Sequence, residues 1–152
     1  MYNTLRIHNF RGFSHYSLSD LTRINLLVGK NNAGKTSILE AIEILSYGGR
    51  FSALLKSPSR RGEVSSENRE PGLRVEYDIR FLFHQHRIQE GSSFEIQADN
   101  DMASPAVTCV IRRPESVQLE LSDQDEPNMA YELVIKGPEN EKGSVEIGRA
   151  HV

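Results

Sequence analysis

The chain has 152 residues, 38% hydrophobic and 26% charged, with a single cysteine, Cys109. Such a chain suits one globular domain with its own core and excludes both a disordered polymer and an internally disulfide-stapled scaffold. The net charge of −3 divides unevenly, because residues 1–61 carry nine Lys/Arg against three Asp/Glu while residues 62–152 carry nine against eighteen. A basic first part suits an anionic ligand, phosphate above all, unless surface charge merely falls unevenly along the chain.

In chain order, Leu5 and Ile7 alternate with Arg6 and His8, which predicts a short half-buried strand. Asn9 to Ser14 reads as a turn, and Tyr16 and Leu18 predict a second short strand. Ile24 to Val28, INLLV, is almost continuously apolar, the pattern of a strand covered on both faces, and Gly29 ends it. From Lys35 the period changes: Ile38, Leu39, Ala41, Ile42 and Leu45 form a helical stripe that Gly48 and Gly49 terminate. Residues 50–72, rich in Ser, Arg, Gly and Pro, predict an exposed connection with one short helical turn around Phe51 to Leu55.

Beyond it the chain turns β-like. Leu73, Val75, Tyr77, Ile79, Phe81 and Phe83 alternate with polar residues and predict a strand with one wet face. Further strands are expected at Phe94 to Ala98, Ala106 to Arg113, Val117 to Leu121 and Tyr131 to Lys136. Their gaps are too short for helical crossovers, so antiparallel meander connections are expected. No apolar run approaches the roughly 18 residues of a membrane span. With no signal-peptide pattern at the N-terminus, the expected location is the cytoplasm, and no membrane partner is expected.

Gly29 to Thr36, GKNNAGKT, matches the pattern G-x-x-x-x-G-K-[ST] in full. A loop of this spacing turns its backbone N–H groups inward as a concave anion site, and the helix that follows adds its own N–H groups and positive dipole end. Glycine at 34 lets the main chain approach phosphates closely. Lys35 can then reach the β- and γ-phosphates as a point charge, and the Thr36 hydroxyl can ligate a bridging Mg²⁺. Asn32 suits a curled position with positive φ, although Asn31 and Asn32 also fit as ordinary loop polars.

The runs TLRIHNFRGF and INLLVGKNNAGKTSILEAIEIL resemble the N-terminus of ABC-type AAA ATPases of the SMC/RecF/OLD kind. The paired asparagines most resemble the OLD-like branch. The resemblance implies an α/β fold: a P-loop NTPase, ABC-ATPase-like N-terminal lobe with an antiparallel β-subdomain, truncated. It divides the chain into a nucleotide-binding core at 1–50, a connection at 51–72 and a β-subdomain at 73–145; separately, Glu146-Ile147-Gly148-Arg149-Ala150-His151-Val152 resembles a translated library adapter, so 146–152 is expected to be a non-native tail. It implies ATP and Mg²⁺ held by Gly29, Lys30, Asn31, Asn32, Ala33, Gly34, Lys35, Thr36 and Ser37, with Ser37 near the α-phosphate. Arg11 is implied to lie near the nucleotide; the plainer alternative is a solvated turn arginine.

The family pairs two heads across two ATP molecules and works on DNA, and the OLD branch adds a C-terminal nuclease domain. Here no apolar run ending in Asp-Glu follows residue 40, no SGG-type signature loop is present and no acidic cluster resembles a nuclease centre. The sequence therefore offers no catalytic residue of its own. The expectation is an ATP-binding part of a nucleic-acid repair, maintenance or defence ATPase, inactive alone until a missing C-terminal lobe and a second copy complete it. Gln85 and Gln89 are weak candidates for a Mg²⁺-contacting glutamine, and His84 with His86 is a metal pair lacking further ligands. A P-loop small-molecule kinase or GTPase is disfavoured by the β-turn-β segment ahead of the loop. A non-catalytic nucleotide-binding module is disfavoured for the parent by the intact Gly34, Lys35 and Thr36.

Overall fold

In the computed structural model, the described residues are 1–63, 78–113, 131–138 and the backbone of 142–147. The strand expected at Val117 to Leu121 lies outside them, as do residues 73–77 and 148–152.

Six strands form one sheet in the order β2-β1-β3-β4-β5-β6, and every pairing is antiparallel. They are β1 (Thr4–Phe10), β2 (Phe13–Leu18), β3 (Ser93–Asp99), β4 (Ala106–Arg112), β5 (Tyr131–Lys136) and β6 (Lys142–Ile147). The meander from β3 to β6 follows from the short connections. Period-two alternation in β1, β3 and β4 puts Leu5, Ile7, Phe94, Ile96, Val107, Cys109 and Ile111 on one buried face. Arg6, Glu95 and Gln97 take the half-exposed face. Because β1 pairs with β3, Ile7 opposite Ile96, the sheet runs across the connection at 51–72, and Glu146 and Ile147 pair with β5.

Helix α1 (Lys35–Ser46) covers this face through Ile38, Ala41, Ile44 and Leu45, all buried. Each large aliphatic side chain so buried contributes about 1.5–3 kcal/mol. Leu39 departs from the predicted stripe and is 58% exposed, while Ile44 takes its place in the core. Gly48 (φ 66°) and Gly49 (φ 77°) end the helix in the left-handed region that glycine enters without strain.

Three expectations are corrected. Residues 24–28 form no strand: Ile24, Leu26 and Val28 are 88%, 86% and 82% exposed, and only Leu27 packs against the core. An apolar run demands cover, and no strand among the described residues supplies it. The single turn near Phe51 is instead a full helix, α2 (Phe51–Arg61), with Ala53, Leu54, Ser57 and Pro58 buried. Finally, Ile79–Leu82 is a 3-10 turn rather than strand, capped by Asp78, whose carboxylate accepts from the Arg80 amide at 3.1 Å. That local cap competes with ladder pairing, and the turn buries Ile79 and Leu82 together, whereas in a strand these residues, three apart, would face opposite sides. The α/β expectation thus holds as helices on an antiparallel sheet, but the strand expected at 24–28 ahead of the loop is not part of it.

Candidate nucleotide-binding site

The loop Gly29–Gly34 curls where the sequence places its small and polar residues. Asn32 has φ 63° and Gly34 φ 84°, so both special positions carry residues that tolerate them. A side chain at Gly34 would also collide with the Phe13 ring. Helix α1 then starts at Lys35 with Gly34 as its N-cap, no side-chain cap and no acidic residue in its first turn. Its leading N–H groups and dipole therefore face the loop without a built-in anion.

Lys35 folds back across the loop, and its Nζ donates to the Gly29 and Lys30 carbonyls at 2.7 Å each. The ammonium is thereby held against the start of the loop. Thr36 is exposed beside it, and Ser37 is buried. Gly29, Lys30, Asn31, Asn32 and Ala33 are exposed, as an anion-accepting loop requires. These residues fit a polyphosphate by their chemistry, since they carry backbone N–H groups and the cations Lys30 and Lys35 with no carboxylate among them. Thr36 offers a hard oxygen of the kind Mg²⁺ takes alongside phosphate oxygens and water. No group of three or more His, Cys, Asp or Glu forms a metal site among the described residues, so a cation here would be held jointly with a phosphate.

A cavity of about 530 Å³ opens beside the second half of the loop, where Asn32, Ala33, Gly34 and Ser37 form one wall and Arg11, Gly12 and Phe13 another. Arg61, Glu63, Phe81 and His86 complete it. It flanks Lys35 and Thr36 rather than containing them, so the cation and hydroxyl stand at its edge. Phe13 stacks on Tyr16 with ring centroids 4.6 Å apart, and Phe81 meets His86 edge-on at 4.6 Å. The cavity thus joins a polar wall to aromatic surfaces.

Arg11 belongs to this wall, but not as a solvated turn arginine: it is 5% exposed. Its Nε lies 2.6 Å from Glu40 Oε2, an ion pair without hydrogen-bond alignment. Its Nη1 and Nη2 donate to the two Glu63 carboxylate oxygens at 2.9 and 3.1 Å. The sequence did not single out Glu40, Glu63, Phe13 or Phe81. Only Glu40 left a trace, as a carboxylate inside the apolar run ILEAI. His84 and His86 lie on a 3-10 turn (His84–His86) rather than a strand. His84 Nδ1 donates to the Arg11 carbonyl at 3.1 Å, while Gln85 and Gln89 are exposed.

A family model described as AAA ATPase domain matches residues 1–144. The chain belongs to the AAA ATPase domain family. It is 48% identical over 48 residues to the DNA replication and repair protein RecF of Idiomarina loihiensis, covering 32% of this chain and 14% of that one. Against the RecF of a Marinomonas species, identity is 26% over 155 positions, covering 97% of this chain and 38% of the relative. An uncharacterized protein, MJECL10, of Methanocaldococcus jannaschii is 47% identical over 57 residues, or 37% of this chain and 26% of that protein. The chain thus spans well under half the length of these curated relatives. No helix among the described residues is long and apolar enough to cross a membrane.

Proposed function

We propose that this AAA ATPase domain binds ATP with Mg²⁺ and serves a DNA replication or repair ATPase of the RecF kind. The observation that carries the reading is the loop itself: a left-handed Gly34 opening a helix with no side-chain cap, and Lys35 folded back onto the Gly29 and Lys30 carbonyls. Lys35 would exchange its two loop carbonyls for β- and γ-phosphate oxygens, a charge-assisted contact stronger than the neutral ones it replaces. The amides leading α1 would hold the remaining oxygens, and Thr36 would ligate the Mg²⁺, which neutralises charge on the phosphate chain. Asn32, Ala33 and Ser37 would line the approach, and Arg11 would stand in the wall beside it.

Hydrolysis would require a further lobe and a second copy of the protein, and DNA would be the partner. Two observations support this. The relatives are much longer than this chain, and the row Ile24, Leu26, Val28 is bare just ahead of the loop. A group of exposed apolar side chains close together marks a surface built to be covered. The OLD-like branch, with its nuclease domain, rests on the paired asparagines alone.

The test is calorimetric titration of the chain with MgATP. Binding is expected, with Lys35→Ala weakening it by at least about 30-fold, the scale for removing one partner of a close charge pair. Equal binding by wild type and Lys35→Ala would reject the site. Rapid MgATP turnover by the chain alone, lost in Lys35→Ala, would reject the need for further parts.

A further inference from the structure

The turn between β1 and β2 touches α1 at two places. Phe13 lies over Gly34, where the helix begins, and Arg11 reaches Glu40 farther along the same helix. Glu40 is 6% exposed and serves two arginines, Arg11 and also Arg61, whose Nε and Nη2 donate to it at 2.7 and 3.1 Å. Arg11 is shared in turn with Glu63, the Ser57 hydroxyl and the Phe81 carbonyl. Two arginines and two carboxylates form a charge-balanced cluster in which Arg11 and Glu40 are buried, while Glu63 is 12% and Arg61 35% exposed. Buried charges persist only when so paired, and removing one partner exposes the rest to an uncompensated desolvation cost.

Arg11 also holds a left-handed backbone, φ 51°, that a non-glycine residue adopts only when its surroundings fix it. The carboxylates that fix it also offset its charge, so Arg11 attracts phosphate weakly as an ion. What remains is geometry: a planar fork that pins the turn to the helix.

We propose that Glu40 is a positioning residue of the nucleotide site, acting through Arg11 to seat the β1–β2 turn, and with it Phe13, against the phosphate-loop helix. The inference rests on the nucleotide reading above. It assigns Arg11 to shaping the cavity wall rather than to drawing in the anion.

The experiment titrates the full 152-residue chain with MgATP and records melting temperatures for wild type and five variants: Lys35→Ala, Glu40→Gln, Arg11→Lys, the combination of the last two, and the double variant Arg11→Met with Glu40→Leu. Glu40→Gln and Arg11→Lys are each expected to weaken MgATP binding on the order of 3- to 10-fold, since lysine keeps the charge but loses the fork. Combined, they should be no worse than the poorer single variant, as expected for residues acting as one unit. The double variant leaves Arg61 and Glu63, 4.0 Å apart, to balance each other. An apolar pair of similar volume often replaces an ion pair without loss of stability. It should therefore melt near wild type yet share the affinity loss, which a purely structural role would not produce.

Wild-type affinity in Arg11→Lys or in the well-folded double variant overturns the inference, and so do losses that multiply in the combined variant. Should Glu40→Gln fail to fold, the double variant decides. Binding that depends on Lys35 but ignores the cluster sinks this inference alone, whereas absence of MgATP binding in wild type sinks the nucleotide reading and the inference with it.

Discussion

Ile44 and Ile24 are the same side chain on either side of the phosphate loop, yet one is 1% exposed and the other 88%. Ile44 lies in α1, against the apolar face of β3 and β4. Ile24 lies at a bend in an irregular segment that pairs with no strand among the described residues. Apolar patterning states that a segment is to be covered, but it does not say by what. Where the cover is a sheet within the described residues, the pattern reads correctly. Where it is not, the same pattern yields an exposed row.

The comparison breaks most sharply at its two isoleucine-rich sides. Ile44→Ala should cost about 2–5 kcal/mol of unfolding free energy, a transfer loss plus a cavity under the sheet. Leu26→Ser should change the stability of this chain by no more than about 0.5 kcal/mol, as for other exposed sites. Denaturant melts of both variants measure the pair, and similar losses would mean that the segment 24–28 is covered in solution.

The boundary between the two regions is Gly34, and Gly34→Ala tests how tightly it is built. A left-handed φ for alanine costs about 1–2 kcal/mol, and the new Cβ meets the Phe13 ring, which adds about 1–3 kcal/mol of overpacking. Gly12→Ala, with nothing within 4 Å of its Cβ, is the control and should stay within about 1 kcal/mol of wild type. Thermal denaturation separates the two, and equal effects would mean that Phe13 does not cover the loop.

A smaller effect reports on the covered side. Cys109 in β4 is fully buried, and that burial pushes its thiol well above the ordinary range. The unfolded thiol ionises near pH 8.5 while the folded one stays protonated. Stability is therefore intact below that pH and falls above it, by up to about 1.4 kcal/mol per pH unit. Denaturant titrations at increasing pH should show a slope that Cys109→Ala reduces, and a thiol reagent should be excluded from the native protein. Rapid native labelling would contradict the sealed sheet face.

What the sequence could carry was local. The alternation in β1, β3 and β4 was legible because each residue's face follows from its position in an extended chain. The curl of the loop was legible because tight turns need residues that tolerate positive φ, and Asn32 and Gly34 do sit there. The 3-10 turn at Ile79–Leu82 was not legible, since its alternating letters suit a strand until the Asp78 cap and its packing overrule them.

The sequence by itself determined the curl of the loop, the helix behind it and strands β1, β3, β4 and β5, but not β6, because backbone dihedrals and side-chain periodicity act over a few residues. Tertiary structure alone decided that Glu40, Glu63 and Arg11 meet, that Phe13 covers Gly34, and that INLLV stands uncovered. Those outcomes depend on which distant surfaces come into contact, and the free energy of burying a charge or an apolar row is set by the neighbour rather than by the residue.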